Sequence, residues 1–363
     1  MNQFSVKDVT HLKTALSLAK KGLGLTFPNP MVGAVIVKNG KVVGKGYHHK
    51  AGLPHAVIEA LNNAKGSVKG ATLYVNLEPC SHFGKTPPCA DAIIKAGIAG
   101  VVCCTQDPNP KVSGNGIKKL RRAGIKVWVG ILADEAETLN EAFFTFQKKH
   151  RPFVAIKFAS SLDGKIATHS HDSKWITNGQ ARDFSRKLRG QYQAVVVGIN
   201  TVVHDNPNLG SGLSVGREPI RIILDSTLRI PLTSKILRDN NVLIVTTKSA
   251  DKIKYKRLMN RGTPLFTCPG KNISLPLLMK ELARREIISI FVEGGGAVLG
   301  SFVDSGLVDK AYIFQAPIII GGNNSVSAVG GKGAAKINQA LRLKNITRKN
   351  FGDNSLITGY VGY

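Results

Sequence analysis

A histidine and two cysteines, each directly behind a proline, place the tightest constraint on this 363-residue chain. They are His55 in Pro54-His-Ala-Val-Ile-Glu59, Cys80 in Leu77-Glu-Pro-Cys80-Ser-His82, and Cys89 in Thr86-Pro-Pro-Cys89. One imidazole and two thiolates suit a borderline-soft divalent ion such as zinc, and three protein ligands leave the fourth tetrahedral position open to water. A fold that satisfies them must bring three separate segments into one coordination sphere. Both cysteines sit just before loop or helix-like runs, where the partial positive charge of a helix start favours the thiolate. Taken singly, each has a plainer explanation, a loop histidine or a small core cysteine. The three together favour metal ligation.

Zinc deaminases carry His-x-Glu followed by Pro-Cys and a second Cys, the Glu moving protons while zinc-bound hydroxide attacks an amino-bearing ring carbon. Here the Glu position holds Val57, which can neither accept nor donate a proton. Glu59 lies one helical turn beyond His55 on nearly the same face. To replace the missing acid, its carboxylate would have to come within about 3 Å of the zinc-bound water and ring nitrogen. A solvated helix glutamate is the plainer reading.

The length suits two domains. The net charge is +27, with 20 basic to 9 acidic residues up to position 150 and 30 to 14 after it. Such a field draws in phosphate-bearing metabolites and holds nucleic acid at most weakly and non-specifically. Aromatics are 6% and the basic residues are scattered as pairs, so solvated faces rather than stacking platforms are expected. No apolar run approaches the ~20 residues of a membrane span. The polar start lacks the regions of a signal peptide, and the expected location is cytoplasmic. Five cysteines, two of them adjacent, argue against a disulfide framework.

Strand and helix patterns alternate through both halves, which predicts α/β layers with mainly parallel sheets. A helix is expected over residues 6–22, and Asn39-Gly40 marks a hairpin between strands near 31–37 and 42–47. Asn29 stands at the first strand's mouth, as a turn former or as a ligand for a ring substrate. Residues 134–147 read as one helix, closed by Arg151-Pro152, and the boundary predicted there gives domains 1–149 and 150–363. In the second half a strand at 288–292 runs into Glu293-Gly-Gly-Gly-Ala297 and a helix, a candidate nucleotide-binding turn or a plain tight one. A long strand is expected over 311–320.

Several runs together resemble the bacterial bifunctional riboflavin-biosynthesis deaminase/reductase family. They are Asn29-Pro-Met-Val-Gly-Ala-Val, the His55, Cys80 and Cys89 segments, Asp107-Pro-Asn-Pro, Ser160-Ser-Leu-Asp-Gly-Lys165, Ser173-Lys-Trp175-Ile-Thr177, Val197-Gly-Ile-Asn-Thr201, Asp205-Asn-Pro and Glu293-Gly-Gly. The resemblance implies a three-layer, cytidine-deaminase-like zinc domain that deaminates a phosphoribosylated pyrimidine. It implies a second domain, similar to dihydrofolate reductase, that uses NADPH to reduce the ribosyl group. His55, Cys80 and Cys89 would bind zinc, and Asn29, His48, His82 and Lys85 would line the pyrimidine and phosphate site. Ala159, Trp175, Thr201, Asp205, Ser226 and the turn Gly295, Gly296, Ala297, Val298, Leu299, Gly300 and Ser301 would contact NADPH. Ser173, Arg189, Leu209 and Glu293 would contact substrate, with Lys157, Asp205 and Glu293 holding and polarising the sugar.

Two positions depart from the resemblance: Val57, and Gly212, where the family run ends in a phosphate-binding arginine. An arginine fork gives two charged hydrogen bonds that glycine lacks, so Gly212→Arg is expected to tighten KM. Three functions follow: a two-step enzyme with an impaired deaminase step, a reductase whose zinc domain is silent, or a basic zinc scaffold that binds nucleic acid. The sequence leaves homo-oligomerisation open.

Overall fold

The computed structural model describes residues 5–81, 83, 87–110, 112–213 and 218–362. The chain divides into two compact units, Met1–Arg151 and Pro152–Tyr363.

In the first unit Ser5 and Asp8 form a capping box that starts α1 (Val6–Ala19), and the chain continues through a 3-10 turn at Lys20–Gly22. Strands β1 (Gly33–Lys38) and β2 (Lys41–Tyr47) form the expected hairpin, with Asn39 and Gly40 both at positive φ (49° and 73°) as a tight primed turn requires. Then follow α2 (Ala56–Asn62), β3 (Thr72–Val75), α3 (Cys89–Lys95), β4 (Gly100–Cys103), α4 (Asn115–Arg122) and β5 (Lys126–Val129). The sheet order is β2-β1-β3-β4-β5. It is parallel across β3, β4 and β5 but antiparallel at both edges of β1, so it is mixed rather than mainly parallel.

Alternate residues of β1 serve different cores, which makes three layers. Ala34 and Ile36 pack with Ala56, Val57, Ile93 and Leu120 of the helices on one face. Val35 and Val37 pack with Leu12 and Leu16 of α1 on the other. The helix expected over 134–147 is two, α5 (Ala133–Leu139) and α6 (Glu141–Lys149). Asn140 breaks it (φ −109°, ψ 26°), and its side chain accepts the Met31 N–H at 2.7 Å and donates to the Met31 carbonyl at 3.0 Å. The lost helical continuity is thus exchanged for a clamp on the strand mouth that carries Asn29.

The second unit runs β6 (Phe153–Ser160), β7 (Lys165–Ala167), α7 (Gly179–Arg189), β8 (Ala194–Gly198), α8 (Ile199–Asp205), β9 (Ile220–Leu224), β10 (Val242–Thr247), α9 (Lys252–Asn260), β11 (Leu265–Cys268), α10 (Leu275–Arg284), β12 (Ser289–Val292), α11 (Gly296–Asp304), β13 (Lys310–Gln315), β14 (Val326–Ser327), β15 (Arg342–Phe351) and β16 (Asn354–Gly362). Its nine-stranded sheet is ordered β11-β10-β9-β8-β12-β6-β13-β16-β15, parallel from β11 to β13 and closed by the antiparallel β16 and β15. On one face of this sheet an apolar cluster gathers Val154, Val196, Ile222, Val245, Ile290 and Phe302, and the alternate residues Val195, Val197, Ile223, Ile244 and Phe291 are buried as well.

The chain enters this sheet at β6, moves outward through β8 to β11, and returns as β12 between β8 and β6. Crevices beyond the carboxyl ends of strands at such a reversal are where open α/β sheets bind ligands. The strand expected over 311–320 stops at Gln315. Pro317 cannot donate to a ladder, and the amides of Ile320 and Gly321 go to the Asp163 carboxylate instead (3.0 and 2.8 Å). Among the described residues no helix is long and apolar enough to cross a membrane.

Candidate functional site

Helix starts position two of the three metal-type ligands of the first unit. His55 is the N-cap of α2, in extended backbone (φ −72°, ψ 157°), and its carbonyl accepts the Glu59 N–H at 3.0 Å. Cys89 is the first residue of α3, and its N–H donates to Cys80 Sγ at 3.3 Å. His55 Nδ1 lies 3.6 Å from Cys80 Sγ and 3.4 Å from Cys89 Sγ, and all three ligand atoms fall within 4.8 Å of one another. With zinc–sulfur and zinc–nitrogen bonds of about 2.3 and 2.0 Å, a tetrahedral site has an S···N edge of roughly 3.5 Å. The donor set and its spacing fit zinc. Cys80 is held down to about 4, first by the hydrogen bond from the Cys89 thiol and, against burial, by His55. The same bond and burial push Cys89 up.

The surrounding polar groups hold this cluster in place. His48 is buried, and burial lowers its pKa. Its Nδ1–H donates to the Pro54 carbonyl at 3.0 Å, which leaves Nε2 to accept from Asn29 Nδ2 at 3.1 Å. The His48 ring stands 5.4 Å from the His55 ring, edge to face. Asn29 and His48 are therefore brought together beside the ligands. His82 and Lys85 lie outside the described residues.

Three positioning residues escaped the sequence reading. Besides Asn140, the buried Asn76 accepts the Gly33 N–H at 2.8 Å and donates to the Met31 carbonyl at 3.0 Å. Glu78 accepts the N–H groups of Asp107 (3.1 Å), Gly114 (2.9 Å) and Ile117 (3.1 Å), tying the Cys80 turn to the start of α4. Its place in Leu-Glu-Pro-Cys was the available signal. Asp107, in the same pocket, is pushed up to about 7 by burial and by the nearby charge of Glu78.

Val57 is 2% exposed and belongs to the apolar cluster that includes Ala34, Ala56, Val75 and Cys89. Glu59 flanks β2: a Cβ on Gly46 would sit 2.6 Å from the Glu59 Cβ. Glu59 is not among the groups gathered at the ligand cluster.

In the second unit, the carboxyl ends of β6 and β12 bring together Lys157 and Glu293, 136 positions apart in sequence, and α7 adds Arg189. Arg189 grips Glu293 with two hydrogen bonds, Nε to Oε1 at 2.6 Å and Nη2 to Oε2 at 3.1 Å. Lys157 Nζ lies 3.9 Å from Glu293 Oε2, beyond hydrogen-bond distance, and 5.5 Å from the centre of the Phe314 ring. Its ammonium protons therefore remain available to an incoming oxygen. Burial alone would raise the Glu293 pKa, but Arg189 and Lys157 outweigh it and hold the carboxylate ionised below its ordinary value. Burial lowers Lys157, with Glu293 opposing and Arg189 reinforcing the shift.

Asp205 is not part of this cluster. As the last residue of α8 it pairs with Lys174 Nζ at 2.6 Å, one turn from Thr201. Trp175 is exposed, and the Arg182 guanidinium covers its ring at 4.3 Å. Ala159 lies near the end of β6, while the Ser226 carbonyl after β9 accepts from Thr246 and Thr247. Ser173 is half-buried, and Leu209 is buried at φ 58°.

The glycine turn divides by position. A Cβ on Gly296 would meet the Ser327 carbonyl, and one on Gly300 the Gly330 carbonyl, so these two glycines admit the backbone of 327–331. Leu299 is buried in the core, and the Ser301 hydroxyl bonds back to the Ala297 carbonyl at 2.8 Å. Val298 fills the space that side chains at Gly198 and Gly294 would need. Gly295, the N-cap, has open space at its Cβ position, and Ala297 is exposed. The first N–H groups of a helix have no acceptor within it. The start of α11 can therefore receive a dinucleotide's phosphates.

Gly212 stands at φ +66°, and a Cβ there would lie 2.7 Å from Arg186 Cδ. An arginine at 212 would have to adopt left-handed backbone and would require the Arg186 side chain to move.

Two family models match the chain: the cytidine and deoxycytidylate deaminase zinc-binding region over residues 5–105 and the RibD C-terminal domain over residues 152–354. Riboflavin biosynthesis protein RibD of Aquifex aeolicus is 45% identical over 351 residues, covering 96% of this chain and 97% of the relative. Its Escherichia coli counterpart is 40% identical, over 87% and 89%. Among solved structures, Acinetobacter baumannii RibD matches with a TM-score of 0.90 at 35% identity, over 98% of this chain and 99% of that one. A Thermotoga maritima protein described as a diaminohydroxyphosphoribosylaminopyrimidine deaminase/5-amino-6-(5-phosphoribosylamino)uracil reductase matches with a TM-score of 0.86 at 38% identity, over 98% and 99%.

Proposed function

The chain belongs to the family of riboflavin biosynthesis protein RibD, and from that membership we propose an unequal division of labour between its two units. The second unit reduces the ribosyl chain of a deaminated, phosphoribosylated aminopyrimidine with NADPH. The first holds zinc but deaminates poorly or not at all. The observation that carries this reading is Val57, buried and apolar two residues after a metal ligand whose cluster is otherwise complete.

When bound, zinc lowers the pKa of its water to about 7 and so supplies a nucleophile at neutral pH. His55, Cys80 and Cys89 hold the ion, and the neutral His48 and Asn29 order the pyrimidine's polar edge. Attack on an amino-bearing carbon also needs a group that takes a proton from the nucleophile and gives one to the leaving amine. Val57 provides none, and Glu59 has its Cβ packed beside Gly46 of β2. The chain should bind one zinc per molecule, because the absent acid is not a ligand. Elemental analysis after gel filtration checks this. About one equivalent is expected, falling sharply in Cys89→Ser, and less than about a tenth of an equivalent after zinc supplementation would refute ligation.

NADPH supplies the hydride, so the chain's residues have only to position and polarise the sugar. The Lys157 ammonium donates to the oxygen at the reacting end. The Glu293 carboxylate, held ionised by Arg189, accepts from a sugar hydroxyl. The open start of α11 and the exposed Trp175 would bind the cofactor. Mixing the purified protein with NADPH and the deaminated substrate should give NADPH oxidation at 340 nm. No oxidation by folded, cofactor-saturated protein would overturn the reductase reading.

A further inference from the structure

We propose that Arg186 supplies a second cationic contact to the phosphate of the reductase substrate, in the space that Gly212 leaves beside Arg189. This rests on the reductase reading above. Helix α7 sets Arg182, Arg186 and Arg189 at i, i+4 and i+7, one stripe along its surface. At one end Arg182 covers Trp175, and at the other Arg189 grips Glu293. Arg186 stands between them.

The loop 209–213 crosses this stripe and is fixed there. Ser211 bonds Glu218 through its N–H and its hydroxyl, both at 2.8 Å, and the Gly210 carbonyl accepts from Arg189 Nη1 at 3.2 Å. A Cβ on Gly190 would meet Leu213 Cδ1, and one on Gly212 would lie 2.7, 3.5 and 4.0 Å from Cδ, Cγ and Nε of Arg186. The aliphatic stem of Arg186 thus occupies the place a side chain at 212 would take. The left-handed backbone there (φ +66°) disfavours any residue but glycine. Among the described residues of this loop, 209–213, none is cationic, and the helix supplies a cation.

The charges nearby indicate which cation is open to an anion. Glu293 occupies Nε and Nη2 of Arg189, and Glu218 is taken up by Ser211. Among the described residues Arg186 has Asp183 as its ion partner, at 3.6 Å on the same helix, both half or more exposed. Such surface pairs are weak, and a phosphomonoester dianion, offering paired oxygens to a guanidinium fork, would displace it.

Initial rates of NADPH oxidation with the full-length protein, Arg186→Gln and Arg186→Lys test this against the phosphorylated substrate and its dephosphorylated counterpart. Arg186→Gln should raise KM for the phosphorylated compound about tenfold with kcat changed less than about twofold, the pattern for lost uniform binding. KM for the dephosphorylated compound should not move, and lysine should recover part of the loss. Titration with inorganic phosphate at saturating NADP+ should show the same weakening and does not depend on turnover. Unchanged KM and unchanged phosphate binding in Arg186→Gln, or equal KM increases for both compounds, would overturn the assignment. Absence of turnover by the unaltered protein would instead count against the reductase reading, and the phosphate titration would still decide the role of Arg186.

Discussion

Restoring a carboxylate by Val57→Glu is expected to raise deaminase turnover by ~10²–10⁴-fold, the usual contribution of a positioned acid–base group. Position 57 lies on α2 two residues after His55, in the same buried cluster as Cys89. A proton-carrying side chain there would be packed in the same cluster as Cys89, one of the residues that would hold the ion. The variant should also be less stable without metal, because a carboxylate enters an apolar site. Zinc should return part of that loss. Val57→Gln separates proton transfer from polarity: it should stay near the unaltered rate. Equal rates for the unaltered protein and Val57→Glu, measured as ammonia release, would show that position 57 does not limit the reaction. Glu59→Gln should leave the residual rate alone.

Removing the charge of Glu293 is expected to cost the reductase about a hundredfold or more in kcat/KM, since charge-assisted hydrogen bonds contribute roughly 1.5–3 kcal/mol each and Arg189 makes two to this carboxylate. Glu293→Gln keeps the shape but leaves Arg189 and Lys157 facing each other without an anion. Both cations are largely buried (20% and 17% side-chain exposure), so stability should fall by on the order of 3 kcal/mol, the low end for breaking a buried pair. The sign of the pH dependence follows from the lowered pKa of Glu293. Its stabilisation is complete above the ordinary value of 4.5 and is lost as pH falls through the lower folded value. Thermal unfolding between pH 3 and 7 should show this slope in the unaltered protein and less of it in Glu293→Gln. Equal slopes and equal melting temperatures would assign the ion cluster no role in the fold.

Features written in short stretches of sequence were legible. Asn39-Gly40 announced its hairpin because only that turn tolerates two positive φ values in a row. The Pro-His and Pro-Cys segments pointed to a cluster of metal-type ligands because ligand chemistry is local, and the three side chains do gather. Features that depend on distant partners were not. Asn140 ends a helix because its amide reaches Met31, and the Gln315 strand stops because Asp163 captures the amides beyond it. The polar run Arg342–Phe351 is mostly exposed and shows no alternation, yet it pairs along β16 to close the sheet.

The reductase cluster shows the same division. Lys157 and Glu293 were marked as candidates, but their meeting depends on β12 inserting beside β6, which a sequence does not display. Asp205, a further candidate, forms an ion pair with Lys174. Arg186 carried no signal, because its position matters only through a glycine 26 residues away in sequence.

Offering the purified, zinc-loaded protein the two successive pyrimidine intermediates in turn with NADPH distinguishes a reductase whose zinc domain lacks its proton carrier from a two-step enzyme. Oxidation of NADPH is expected with the deaminated intermediate alone, and the diamino precursor should release almost no ammonia and consume almost no NADPH. Ammonia release from the precursor at a rate matching the reductase, with NADPH consumed in step, would contradict the proposed division of labour.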